Sequence, residues 1–170
     1  MKNLIILLTT ILFSTNTFSQ KEKEIPILRI DDLIKICKLS SNDIEIYASK
    51  RNLEIESLGE TDETFIEDVK FRHTKISEYR FRYTKTKTGC GMFTIGFDHL
   101  KLFNNQKLKA TELGFKLIST ETYKHPSNAD INVKLIKYKK GNMVLNFYNI
   151  LDKEKYSGLP YEITLANSCE

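Results

Sequence analysis

Residues 79–83 read Tyr-Arg-Phe-Arg-Tyr, and this alternation of aromatic and basic side chains decides the predicted fold. Successive side chains of a β-strand point to opposite faces of its sheet, so a period of two indicates a strand with one buried face. We expect Tyr79, Phe81 and Tyr83 to point into a core beneath helices. Arg80 and Arg82 are then expected to face solvent.

The same alternation recurs on both sides of this segment. It predicts further strands at residues 53–56, 69–73 and 93–97. Four more strands are predicted at residues 115–123, 131–139, 143–150 and 161–165. Short loops rich in Gly, Asn, Pro and Lys separate several of them, as expected for hairpins of an antiparallel sheet.

Helical features precede the first strands. Asp31 or Asp32 is expected to cap a helix that includes Leu33, because an aspartate oxygen accepts a free backbone N–H at a helix start. Ser40-Ser41-Asn42-Asp43 predicts the cap of a second helix, whose apolar positions repeat at helical spacing. Asn52 is expected to end it in the left-handed conformation.

The N-terminus has the features of a cleaved secretory signal over residues 1–19. Lys2 precedes a short apolar run, and Thr17-Phe18-Ser19 places small residues at the cleavage site. The run is about half of the roughly 20 residues that a membrane-spanning helix needs. We therefore expect a periplasmic or extracellular protein with no membrane insertion after cleavage, a flexible lead-in at residues 20–29 and one domain at residues 30–170.

The order of elements repeats after residue 97. Asp98 is predicted to cap a helical stretch, continuous or restarted, that stops at Gly114, and four strands follow. Two organisations fit this order: tandem helix-helix-four-strand repeats at residues 30–97 and 98–168, or one sheet with unrelated helices. Both belong to the α+β class, with an antiparallel sheet and helices packed on one face.

Two helix-helix-four-strand units in an exported chain of this size are similar to the beta-lactamase inhibitor protein fold. The resemblance implies a protein-binding module that uses the open, concave face of its sheet. It covers most of the mature chain but rests on element order, so it implies no particular binding residues.

Composition excludes several classes of function. A net charge of +4 is far from the clustered basic footprint of a nucleic-acid-binding protein, so we expect no nucleic-acid partner. His73, His99 and His125 lack the paired spacing of zinc ligands, which predicts no metal. No catalytic or cofactor-binding motif is present, so the chain is interpreted as a non-enzyme without a cofactor.

Three cysteines, Cys37, Cys90 and Cys169, allow one internal disulfide and leave one thiol in an oxidising compartment. All three pairings remain open at this stage. Cys37 shares a helix face with apolar residues, which favours burial. A hydrolase that uses Cys90 as nucleophile is a hypothesis without a nearby base to support it.

The face opposite the aromatic residues is the candidate site. Arg80 and Arg82 lie there, and Arg72 and Lys70 are expected beside them on a neighbouring strand. In the second half, Lys134, Tyr138 and Tyr148 are expected to continue the same surface. The predicted partner-binding residues are Arg72, Arg80, Arg82, Tyr138 and Tyr148, because arginine and tyrosine are enriched at protein-binding hot spots.

The leading hypothesis is an exported protein-binding module of inhibitor or immunity type. Like charges on adjacent strands repel, which suggests an acidic protein surface as the counterpart. Since Arg80 and Arg82 are expected in solvent, reversing both charges should leave the melting temperature nearly unchanged. The alternatives are a small-ligand carrier with an apolar cavity under the sheet, lined by Phe93, Phe97 and Phe147, and a secreted protein with a purely structural role.

Overall fold

A computed structural model describes residues 27–61, 63–88 and 90–167 of the 170-residue chain. The predicted signal peptide at residues 1–19 lies outside the described residues, as does the predicted lead-in up to residue 26. Residues 27–29 belong to the folded domain, because Leu28 is buried and its carbonyl accepts a hydrogen bond of 2.9 Å from the Tyr79 hydroxyl. The predicted lead-in therefore extends too far toward the helix.

Three α-helices, one short 3-10 turn and eight strands make up the described domain. The helices are α1 (Ile30–Ile36), α2 (Ser41–Ser49) and α3 (Leu100–Glu112), and the 3-10 turn spans Lys153–Lys155. The strands are β1 (Leu53–Leu58), β2 (Phe65–His73), β3 (Tyr79–Thr86), β4 (Gly91–Phe97), β5 (Lys116–His125), β6 (Asn128–Lys140), β7 (Met143–Ile150) and β8 (Tyr161–Asn167).

All eight strands form one antiparallel sheet in the order β1-β2-β3-β4-β8-β7-β6-β5. The predicted α+β class is confirmed. Each half of the chain contributes a helical segment and then four strands, and the last strands of the two halves pair at the centre, from Gly91 opposite Asn167 to Phe97 opposite Tyr161. The second half carries one helix where the tandem pattern predicts two.

The residues that cap the helices agree with the sequence prediction at α2 and differ from it at α1 and α3. Ser40 caps α2 as predicted, since its hydroxyl accepts the N–H of Asp43 at 3.2 Å. The aspartate caps predicted for the other two helices are wrong. Helix α1 starts before both aspartates, and the Asp32 carboxylate accepts the Arg29 N–H from the first turn at 3.0 Å. At α3 the capping group is Nδ1 of His99, one residue after Asp98.

Two backbone positions behave as the sequence predicts. Asn52 follows α2 with φ 59°, and Gly114 follows α3 with φ 84°. Both values lie in the left-handed region that only glycine and asparagine enter at low cost, and each reverses the chain from a helix into a strand.

The core lies between the helices and one face of the sheet. Tyr79, Phe81 and Tyr83 are each 1% exposed and point toward the helices, as predicted. Phe103 of α3 fills the space between Phe97 and Phe147, with ring centroids 6.5 and 5.6 Å away. These phenylalanines therefore belong to a packed core, and the apolar cavity predicted at Phe97 and Phe147 is occupied by Phe103.

A buried polar contact fixes helix α1 against helix α3. Gln106 is 4% exposed, and its side-chain oxygen accepts the backbone N–H of Ile30 at 3.0 Å. The first N–H groups of a helix have no partner within the helix, so a buried helix start needs such an acceptor. The two helices are thereby held over the same face of the sheet, and no helix of the described residues covers the opposite face.

Candidate functional site: the open face of the sheet

The open face is the side of the sheet that faces away from α1, α2 and α3. Paired residues on neighbouring strands share a face, so the strand register defines rows of side chains across it. One row runs through all eight strands as Glu54, Arg72, Arg80, Gly96, Glu162, Tyr148, Leu135 and Glu121. The next row contains Lys70, Arg82, Thr94, Thr164, Asn146 and Lys137.

The predicted arginines lie on this face, as the alternation in β3 indicates. Their side chains are 58% exposed for Arg72, 42% for Arg80 and 50% for Arg82. Each is nevertheless paired with a carboxylate of the same chain. Arg72 meets Glu54 at 2.8 Å and Arg80 meets Glu56 at 3.5 Å, both exposed ion pairs.

Arg82 forms the strongest of these pairs. Its Nε and Nη2 donate to the two carboxylate oxygens of Asp68 at 2.7 and 2.8 Å. Arginine binds a carboxylate through two parallel hydrogen bonds when its planar fork is aligned in this way. The pairing holds the pKa of the Asp68 carboxyl below its usual value, against the raising effect of burial.

Gly59 leaves room for this pair. A Cβ atom at Gly59 would lie 2.0 Å from Oδ2 of Asp68, a distance at which one of the two must move. The Gly59 N–H also donates to the Asp68 carbonyl at 2.7 Å. Glycine is therefore the residue that fits between the end of β1 and the carboxylate of β2.

These ion pairs change the interpretation of the basic surface. The repulsion that suggested an acidic partner is offset within the chain by Glu54, Glu56 and Asp68, so it is no longer an argument for the charge of a partner. The same geometry changes the expectation for charge reversal at Arg82, which we now expect to lower stability. A glutamate at that position would face Asp68, whose side chain is only 9% exposed.

Two residues predicted for the open face lie on the other side of the sheet. Tyr138 pairs with Leu145 and its ring meets Phe147 edge-on at 5.4 Å, so it contacts the core. Lys134 has the same strand parity as Tyr138 and acts electrostatically on Lys107 of α3. Tyr148 is on the open face as predicted, directly opposite Glu162 of β8.

A surface cavity of about 690 Å³ opens on this face over β2, β3, β4 and β8. Its walls combine basic residues with acidic ones, so a ligand there would meet both charges. The charged residues that line it are Glu56, Lys70, Glu78, Arg80, Arg82, Asp98 and Glu162.

The loop between β7 and β8 folds back over the open face, which sequence reasoning missed. A Cβ atom at Gly96 would lie 3.2 Å from Cδ1 of Leu159, so the loop packs directly on this strand position. An isolated glycine within a strand is the signal that predicts such a close approach. Gly158 lies beside the Tyr156 side chain, where a Cβ atom would come within 2.8 Å of two ring carbons and the hydroxyl oxygen.

The folded-back loop separates the first cavity from a second one of about 290 Å³. Tyr156, Leu159 and Glu162 line both cavities. The second cavity is also lined by Tyr123, His125, Pro126, Val133, Tyr148, Ile150 and Pro160. Beneath it Ile131, Val133 and Ile150 form a small apolar cluster separate from the main core.

Glu162 lines both cavities. The residue is exposed, yet the surrounding protein partly desolvates its carboxylate, and this desolvation raises the pKa of the carboxyl. The charge of Arg82 and a 3.4 Å hydrogen bond from the Thr164 hydroxyl oppose that rise. Burial and the negative charge of Glu162 in turn raise the pKa of Tyr156.

The cysteines and histidines have structural roles. Cys90 is disulfide-bonded, so it presents no thiolate nucleophile, and the Cys90 hydrolase hypothesis loses its reactive group. Cys37 is a buried free thiol whose pKa is raised by burial. Each histidine accepts a backbone N–H through Nδ1: His73 from Lys75 and Ile76, His99 from Leu102, and His125 from Ser127.

Within residues 27–61, 63–88 and 90–167, no cluster of His, Cys, Asp or Glu side chains has the arrangement of a metal site. The helices of this part of the chain are all too short or too polar to cross a membrane. Comparison of the chain with protein-family models, with curated proteins and with solved structures finds no match. The resemblance to the beta-lactamase inhibitor protein fold therefore rests on element order alone.

Proposed function

We propose that this chain is an exported binding module of inhibitor or immunity type that captures a partner protein on the open face of its sheet. The observation that carries the proposal is the face of the sheet opposite the described helices, which spans eight strands and has a cavity on each side of one loop. Export rests on the signal sequence expected at residues 1–19.

The side chains of this face suit a protein interface. Arg72, Arg80 and Arg82 are half exposed, and their carboxylate partners hold them in place before a partner arrives. Preorganised side chains lose less conformational entropy on binding. Tyr148 and Tyr156 add aromatic area beside them, and arginine with tyrosine dominates the energetic centres of protein interfaces.

The mechanism is steric occlusion of the partner, with charge governing the rate of encounter. The first cavity contains both signs of charge, so the complementary surface is expected to present acidic groups opposite Arg80 and Lys70 and basic groups opposite Glu162. The acidic partner surface predicted from the sequence therefore applies only to the part of the open face around the arginines.

The first step of the test is to identify a partner protein. The mature chain is immobilised, proteins retained from the exported fraction of its source are identified by mass spectrometry, and each candidate is purified. A gene for a toxin-like protein beside the gene for this chain would give the first candidate. Binding of the purified pair is then measured by biolayer interferometry.

Arg80→Glu is the informative variant, because the Arg80–Glu56 pair is exposed and contributes little to stability. If Arg80 lies in the interface, we expect the variant to bind the partner with a Kd about tenfold higher or more. Lys109→Glu is the matched control, since Lys109 forms a similar exposed pair with Glu112 at 3.3 Å on the helical side. Equal Kd values for both variants and the unmodified chain would remove the open face from consideration.

A further inference from the structure

We propose that the second cavity is a binding site for an organic ammonium group, held between Tyr123, Tyr148, Tyr156 and the carboxylate of Glu162. The proposal goes beyond partner capture and does not depend on it, because it is tested with the purified chain alone. It rests on the composition of the cavity, on the charge state of its surroundings and on its size.

Three separate elements bring the tyrosines together. Tyr123 lies on β5, Tyr148 on β7 and Tyr156 in the loop between β7 and β8, and all three pack against one apolar cluster. Tyr148 is the direct cross-strand neighbour of Glu162. The phenol rings and the carboxylate therefore line a single space, although they lie up to 39 residues apart in the chain.

Glu162 lacks a cation of its own. Among the described residues it forms no ion pair, and its carboxylate accepts a hydrogen bond of 3.4 Å from the Thr164 hydroxyl. Arg82 acts on it electrostatically, but the fork of that guanidinium is engaged by both oxygens of Asp68. A partly desolvated carboxylate without a counter-charge is stabilised by any cation that enters beside it.

Aromatic rings and a carboxylate together select a particular kind of cation. A ring attracts a cation over its face through its quadrupole, and it does so best when the cation is weakly hydrated. A substituted ammonium group has this character, since its carbon substituents contact the rings and the apolar floor of Val133 and Ile150. Metal ions are disfavoured because one carboxylate supplies too few oxygen ligands to bind them.

The size of the cavity agrees with a small head group. Its volume of about 290 Å³ is at the lower end of the range for small-molecule sites. An organic ammonium group is presented by a free quaternary amine and, in a more strongly hydrated primary form, by a lysine side chain of a partner protein. The two sources differ in what accompanies the charge, so the experiment uses one probe for each.

The probes are choline for the free quaternary amine and an acetylated, amidated lysine for a protein side chain. Their binding to the mature chain is followed by two-dimensional NMR, which also reports whether each variant is folded. The neutral isostere of choline, 3,3-dimethylbutan-1-ol, has the same shape without the charge. We expect saturable shifts in residues around the second cavity with an ammonium probe, and binding at least about tenfold weaker for the neutral isostere.

Two variants locate the site. Glu162→Gln keeps the shape and removes the charge, and it is expected to weaken ammonium binding about tenfold. Tyr156→Leu keeps an apolar side chain in the loop and removes the ring, with an expected loss of about threefold to tenfold. Glu54→Gln is the matched control in the same row of the sheet, and binding should remain unchanged.

The two probes distinguish the two possible sources of the ammonium group. Binding of choline but not of the lysine probe assigns the site to a free quaternary amine, and the reverse assigns it to a protein side chain. Equal binding of the neutral isostere, an unaffected Glu162→Gln variant, or no shifts with either ammonium probe on the folded chain would overturn the proposal. Each of these outcomes leaves the capture of a partner protein to be decided by its own experiment.

Discussion

The replacement of Arg82 by alanine is the sharpest test of how the open face is held together. Arg82 donates two hydrogen bonds to Asp68, whose side chain is 9% exposed, while Arg82 itself is 50% exposed. Removal of one partner from a fully buried pair costs about 3–5 kcal/mol, and an exposed pair contributes about 0–1 kcal/mol. With one buried and one half-exposed partner, we expect a loss of about 2 kcal/mol in the free energy of unfolding.

The assay is urea denaturation followed by circular dichroism. Arg72→Ala is the matched control, since both members of the Arg72–Glu54 pair are about half exposed. It should lose no more than about 0.5 kcal/mol. A double-mutant cycle with Asp68→Asn then isolates the coupling between the two side chains, which is expected to account for most of the loss.

The pH dependence provides a second readout of the same pair. Arg82 lowers the pKa of the Asp68 carboxyl from its usual value of 3.8, so the native state favours the ionised form more than the unfolded chain does. The resulting stabilisation is present above the unfolded pKa and is lost as the pH falls through the lower, folded pKa. The difference between the unmodified chain and Arg82→Ala should therefore be largest near pH 7 and should shrink below about pH 4.

Equal losses for Arg82→Ala and Arg72→Ala would refute the reasoning, since they would show that the burial of Asp68 has no energetic consequence. A loss that stays constant from pH 7 to pH 3.5 would also contradict it. In that case packing of the arginine side chain, and not its charge, would stabilise this part of the sheet.

Further predictions concern the glycine beside the ion pair, the core and the disulfide. Gly59→Ala is expected to displace the paired carboxylate and to cost about 1–3 kcal/mol in urea denaturation, less than additively with Arg82→Ala. Phe103→Ala should cost about 3–5 kcal/mol by the same measurement, because it empties the space between the helices and the sheet. Non-reducing peptide mapping should recover Cys90 cross-linked to Cys169, since Cys37 is a free thiol.

Phe103→Leu keeps most of the buried volume and should cost distinctly less than alanine at the same position. Additive losses for Gly59→Ala and Arg82→Ala would show that the glycine acts through something other than the ion pair. A mapped peptide that joins Cys37 to Cys90 would contradict the assignment of Cys37 as the free thiol.

The elements of the fold could be predicted from local sequence because each depends on neighbours in the chain. The alternation at Tyr79 to Tyr83 places aromatic residues inside and arginines outside, since side chains of a strand alternate between faces. Ser40 caps α2 and Asn52 ends its C-terminal turn for equally local reasons. The α+β class follows from the succession of such segments.

In β6 the alternation of apolar and polar residues does not predict which side chains face the helices, because both faces of this strand carry apolar residues. Val133 and Leu135 point to the open face, whereas Ile136 and Tyr138 point to the core. The loop after β7 covers part of the open face, so residues there are buried as well. When both sides of a strand are partly buried, hydrophobicity no longer shows which side the helices cover, and this is why Tyr138 was misplaced.

The strands, most of the turns and the outward direction of the arginines could be predicted from local sequence, because these depend on spacing within a few residues. The contacts of those arginines depend on the assembled sheet, since the register between strands places Glu54, Glu56 and Asp68 beside them. The same holds for the tyrosines around Glu162. They come from three elements distant in sequence, and no local pattern encodes a meeting that the pairing of strands and the path of one loop bring about.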